Sequence, residues 1–165
     1  TTQAACLADV DSDFCYDWDT GYGGACAEPT SACSTDYGCI YPCTADSFDS
    51  VSPNNNDWLN SSDINDGVTP NLTLCAGDVD LYRIPAVALG STVTITANIS
   101  TSLTAGDLDL TLYDAQGVFV GQAATTHSTE QIVLQARKAG DYFLRACLHT
   151  GTLAAYSLSI ARSAQ

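Results

Sequence analysis

From residue 72 to the C-terminus, apolar and polar positions alternate with a period of two. Between Ser91 and Ile99, the residues Val93, Ile95, Ala97 and Ile99 interleave with Thr92, Thr94, Thr96 and Asn98, the pattern of a strand with one buried face. Asp107 to Asp114 repeats it with Leu108, Leu110 and Leu112, and Ala115-Gln116-Gly117 then turns the chain into Val118 to Ala123. Glu130 to Ala136, Asp141 to His149 and Tyr156 to Ala161 read as three further strands, separated by Lys138-Ala139-Gly140 and by a loop at Gly151. Upstream, Leu72 to Leu74 and Leu81 to Ile84 flank a Gly77 turn that carries Asp78 and Asp80. About eight short strands with glycine-containing turns and no helical period predict an all-β domain over residues 72–165, an antiparallel β-sandwich or jelly roll.

The alternation stops upstream of residue 72. Residues 44–71 form an acidic, polar connector rich in Asn, Asp and Ser, and its one bulky apolar pair, Trp58-Leu59, is expected to anchor it onto the sandwich. Residues 1–43 have no sustained periodicity and hold Cys6, Cys15, Cys26, Cys33, Cys39 and Cys43; Cys75 and Cys147 complete a set of eight. An even, crowded set without paired Cys-x-x-Cys knuckles or nearby histidines argues for disulfides formed in an oxidising compartment. Such a segment cannot fold by core burial alone, so its cysteines are expected to staple it into a disulfide-rich, irregular appendage. Asp9, Asp11 and Asp13 have the spacing that opens an EF-hand loop. Phe14 and Thr20 stand where its turn glycine and closing glutamate belong, so a solvated acidic turn is the better reading.

Charge sharpens the division. Residues 1–82 hold 14 of the 19 acidic residues and no Lys or Arg, whereas residues 83–165 hold 5 acidic residues and all 5 basic ones; the formal charge of −14 belongs to the first part. A strongly acidic surface repels nucleic acid and anionic membranes, and no stretch is long and apolar enough for a membrane span. The absence of any Met suggests a mature secreted, extracellular product from which a leader has been removed.

With these elements in order, the stretch from Asp46 to Ile160 resembles the bacterial pre-peptidase C-terminal domain, a secreted β-sandwich related to the collagen-binding domains of bacterial collagenases. The resemblance is carried by the lead-in DSFDSVSPNNN, the blocks LTLCAGDVDLYRIP and GDLDLTLYDAQG, and the late strands AGDYFLRA and YSLSI. It implies a calcium site at Asp49, Asn54, Asp78 and Asp80, although Ser52 stands where an acidic residue usually precedes Pro-Asn. It also suggests a Cys43 to Cys75 disulfide. Cys147 departs from the family pattern and is expected to reach a cysteine of the N-terminal segment.

An enzyme reading has little support. His127 and His149 are the only histidines, no nucleophile elbow or phosphate-cradling loop is present, and the pair Asp107 and Asp109 reads as a solvated strand end. Three sequons, at Asn60, Asn71 and Asn98, lie in loops or on an outward register and are able to carry N-linked glycans. Pre-peptidase-type domains accompany larger catalytic proteins, so with no catalytic part in this chain the expected role is binding or assembly. The leading expectation is a secreted structural subunit whose N-terminal arm, Thr1 to Val10, adds a strand to a neighbouring copy and links copies head-to-tail into a filament or surface layer. The alternative is a monomeric accessory domain that binds a matrix protein or polysaccharide.

Overall fold

A computed structural model describes residues 46–49, 54–75, 77–100, 106–151 and 153–163. The cysteines from Cys6 to Cys43, the Asp9 to Asp13 turn and the Thr1 to Val10 arm lie outside the described residues. Nine strands are present: β1 (Ser62–Asp63), β2 (Gly67–Cys75), β3 (Val79–Val87), β4 (Thr92–Ile99), β5 (Asp107–Asp114), β6 (Phe119–Ala123), β7 (Thr129–Gln135), β8 (Gly140–Thr150) and β9 (Leu153–Ser163). They form a five-stranded sheet in the order β1-β3-β8-β5-β6 and a four-stranded sheet in the order β2-β9-β4-β7. Every pairing is antiparallel except that of β1 with β3. The expected all-β sandwich is therefore present, with one strand more than the alternation indicated.

The additional strand arises in the connector. β1 is two residues long, too short for any period, and it exists because Ser62 and Asp63 pair with Tyr82 and Arg83. Ile64 follows it into the core, and its N–H donates to the Arg83 carbonyl over 2.9 Å. β2 likewise begins at Gly67, five residues before the apolar run; Pro70 and Asn71 obscure it, and they sit in a bulge between Thr69 and Leu72, where Asn71 has φ 60°. Trp58 anchors the connector as expected, with its ring against those of Tyr113 and Phe143 at 5.5 and 4.8 Å. Leu59 does not share in this: it is 97% exposed.

The inward faces behave as their alternation dictates. Leu72, Leu74, Ile84, Val93, Ile95, Leu110, Leu112, Leu144, Leu158 and Ile160 belong to one continuous core. The outer faces of the two sheets differ. On the four-stranded sheet, Thr92, Thr94, Thr96, Asn98, Thr129 and Gln131 lie at the surface. On the five-stranded sheet, Val79, Leu81, Asp109, Thr111, Tyr113, Arg145 and Cys147 are all buried. Asp109, expected to be solvated, thus belongs to a covered sheet face, with the His149 imidazole 3.7 Å away.

Cys75 and Cys147, the two described cysteines, each take part in a disulfide. Cys43 lies outside the described residues, and so do the proposed Cys43 to Cys75 pairing and any N-terminal partner of Cys147.

Candidate metal centre

The acidic turn after β2 lies beneath the lead-in. Asp46 fixes the lead-in, because its two carboxylate oxygens accept the N–H groups of Phe48 at 2.7 Å and Thr73 at 3.0 Å. Phe48 then sets its ring edge-on against Tyr82, with centroids 5.6 Å apart. A capping acid and an aromatic contact thereby hold residues 46–49 across the start of the sandwich, and the same turn presents Asp49. A second strap comes from Asn55, whose carbonyl accepts the Leu81 N–H over 2.8 Å, so that Asn55 lies beside the first residues of β3.

Asp80 is the centre of the arrangement. It lies on the inward register of β3 and is fully buried. Its Oδ2 accepts hydroxyl hydrogen bonds from Tyr82 (2.9 Å) and from Tyr156, and these two hydroxyls are 2.8 Å from each other. Tyr82 and Tyr156 come from opposite sheets, so the core itself orients the carboxylate and leaves Oδ1 without a partner.

Asp46, Asp49 and Asp80 each bring a carboxylate oxygen within 4.8 Å of the others. In the same segments, both oxygens of Asp49, Oδ1 of Asp80, both amide atoms of Asn55 and Oδ1 of Asn56 are buried without a hydrogen-bond partner among the described residues. Buried polar atoms normally find partners, and each failure carries a desolvation cost of about 1–3 kcal/mol, more for charged groups. Their electrostatics point the same way. Burial, then the neighbouring Asp78 and Asp46, raise the Asp49 carboxyl to about 7. Burial also raises Asp78, and burial followed by the Asp78 charge pushes Asp80 well above the usual carboxylate range. These acids repel one another with no described cation among them.

The structure brings part of the expected set together. Asp49, Asp78 and Asp80 converge. Asn54 does not: it is exposed, and its neighbour Asn55, 1% exposed, turns inward instead. Asp46 was missed, and so were the tyrosines behind Asp80; the lone tyrosine on each of two alternating strands was the available signal. Such a set of hard oxygens suits Ca²⁺, which takes six to eight ligands from carboxylates and amide carbonyls. Asp49, Asp80, Asp46 and the side chains of Asn55 and Asn56 would supply them, while Tyr82 and Tyr156 orient Asp80 from behind.

The other expected site residues are dispersed. Asn60 donates its side-chain N–H to Asp57 Oδ2 over 2.6 Å, which engages the nitrogen a glycan would need. Asn71 is exposed in the β2 bulge and Asn98 is exposed on β4. His127 lies in the β6–β7 turn, with Nδ1 3.0 Å from the Thr125 hydroxyl, which in turn bonds Glu130.

No family model matches the chain, and no curated protein does. Solved structures do. The fold is similar to that of a pre-peptidase C-terminal domain. The match is to that domain of a collagenase from Bacillus anthracis, at 17% identity and a TM-score of 0.49, covering 61% of this chain and 94% of that one. The periplasmic g-type lysozyme inhibitor PliG of Aeromonas hydrophila is also similar, at 14% identity and a TM-score of 0.44, over 62% of this chain and 96% of that one. Among the described residues no helix is long and apolar enough to cross a membrane.

Proposed function

We propose that this chain is a secreted, non-enzymatic binding domain whose lead-in is fastened to the β-sandwich by a calcium ion. One observation carries the reading: carboxylate oxygens of Asp46, Asp49 and Asp80 lie within 4.8 Å of one another, and both oxygens of Asp49 and Oδ1 of Asp80 are buried without a hydrogen-bond partner among the described residues. A divalent cation would supply the missing partner for all of them at once and remove the repulsion among the acids.

The surface that would do the binding is the outer face of the four-stranded sheet. Its β4 and β7 positions are uncharged, with Thr96 accepting from Gln131 over 3.1 Å and Asn98 accepting from Thr129 over 3.3 Å. Surface hydroxyls and amides favour a ligand rich in hydrogen-bonding groups, a polysaccharide or matrix protein, and the N-linked sequons at Asn71 and Asn98 lie on the same sheet.

Calorimetric titration with Ca²⁺ tests the cation. One equivalent is expected to bind to the wild-type chain, Asp80→Asn is expected to abolish binding, and Asn54→Ala is expected to leave it intact. A melting temperature that excess chelator does not change would overturn the site.

Assembly into a filament is the second reading, and one feature favours it: the two sheets end side by side in edge strands, β6 and β7, that lack an outer partner among the described residues. Sedimentation velocity of the native chain tests this, with concentration-dependent growth expected and a persistent 17 kDa monomer against it.

A further inference from the structure

β6 and β7 leave one turn, residues 124–128, but enter different sheets. They lie close together at that turn and diverge away from it, opening a cleft of about 490 Å³ at the end of the sandwich that holds Gln135 and Tyr113. Val118 and Val120 line one wall, Val133 and Leu134 the other, and Arg137 and Lys138 lie at the mouth. Val133 is 61% and Val118 50% exposed, although each lies beside an apolar neighbour.

The chemistry of the cleft specifies its ligand. Both walls are sheet edges, whose free N–H and C=O groups accept an extended main chain. The sides take small apolar residues. The mouth takes negative charge: Lys138 is held by Asp114 at 2.5 Å, but Arg137 has no ion pair among the described residues, on a protein with 5 basic and 19 acidic residues.

We infer that this cleft receives the N-terminal run of a second copy of the chain, Ala4 to Asp13 (AACLADVDSD). That run supplies Ala5, Leu7 and Val10 for the walls and Asp9, Asp11 and Asp13 for Arg137, with no basic residue to oppose them. End-to-end stacking of copies brings another copy's segment within reach. Asp46, from which the N-terminal segment departs, is bonded to Thr73 beside the β2–β3 turn. Strand register puts that turn at the Cys147 end of β8, whereas the cleft lies at the Gly140 end, with β6 and β7 on the side of the sheets away from β1 and β2. Asp46 therefore lies at the corner diagonally opposite the cleft, separated by the length of β8, roughly 30 Å, and stacking copies end to end would bring the Asp46 corner of one copy beside the cleft of the next.

The inference rests on the assembly reading and deepens it by naming the contact. A fluorescent peptide of residues 1–13 carrying Cys6→Ser is titrated into the full-length chain and its anisotropy followed, while the chain alone is examined by sedimentation velocity. Saturable micromolar binding is expected, made roughly tenfold weaker by Arg137→Glu or Val133→Asp. Both variants are at exposed positions and are expected to keep the wild-type melting temperature while reducing self-association. Failure of the peptide to bind, or equal binding of a scrambled peptide, overturns the assignment. Self-association that neither variant alters removes the cleft and leaves assembly standing. A chain that stays monomeric removes both.

Discussion

Two buried carboxylates, Asp114 and Asp80, occupy strands of the same sheet and meet opposite surroundings. Burial raises Asp114 too, but Lys138 and the N–H groups of Val118 and Gln116 outweigh it, so its carboxyl is held below the usual range. Asp114 is an acid whose partners are all supplied by the chain, and it shapes the β5–β6 turn. Asp80 and Asp49 receive burial and like charges instead, and they are raised. The contrast separates an acid whose partners the chain supplies from one surrounded by like charges: both are buried, but only the second lacks a positive partner among the described residues.

Breaking the cation side should have the largest effect. At calcium concentrations about a hundredfold above its dissociation constant, binding contributes about 2.7 kcal/mol. For a chain of this size that is a rise of about 8 °C in melting temperature. Calorimetric scans should show this rise in wild type and none in Asp80→Asn. Next comes the structural acid. Asp114→Ala removes the acceptor of two backbone N–H groups and the carboxylate partner of Lys138, for a loss of about 2 kcal/mol in urea unfolding that is the same with and without calcium. A calcium-dependent loss there would erase the distinction between the two sites.

Acidity separates them by sign. In calcium-free protein, folded Asp49 keeps its proton up to about pH 7, whereas the unfolded chain releases it near 3.8. Folding therefore takes up a proton in that window, and stability is present below it and lost as pH rises through 7. Asp114 contributes the reverse: its lowered carboxyl adds stability above the unfolded value that is lost as pH falls through its folded value. Melting temperatures in chelator should thus fall between about pH 4 and 7, and saturating calcium should abolish that fall. The smallest change expected is in Tyr156→Phe. It removes one hydroxyl from Asp80 and should weaken calcium several-fold, at a stability cost of about 1 kcal/mol.

The strands from β4 onward were legible in the sequence because each carries one apolar face, and period two marks such a face without ambiguity. β1 and the first half of β2 were not, since a two-residue pair and a bulge with Pro70 have no period; tertiary pairing alone makes them strands. The site was half legible. Asp78 and Asp80 stand out at the bend, and the family resemblance drew attention to the acidic lead-in. Whether Asn54 or Asn55 faces inward depends on the bond from the Leu81 N–H to the Asn55 carbonyl, which joins segments 26 residues apart and leaves no local trace. Asp46 was hidden for a similar reason, as its role is defined by Thr73. Trp58 was read correctly because a lone tryptophan in a polar stretch must find cover; Leu59 beside it faces the other way.

The bulge at Pro70 and Asn71 affects more than the path of β2. It deforms the outer edge of the four-stranded sheet with a residue that has no N–H to donate and another in a left-handed conformation, so a further strand cannot continue that sheet there. β7, the opposite edge, pairs with β4 through seven residues without interruption. Among the described residues the four-stranded sheet is thus blunt on one side and open on the other. At its β2 side the chain offers a neighbouring strand no continuous ladder, the usual protection of a sheet edge against unwanted pairing.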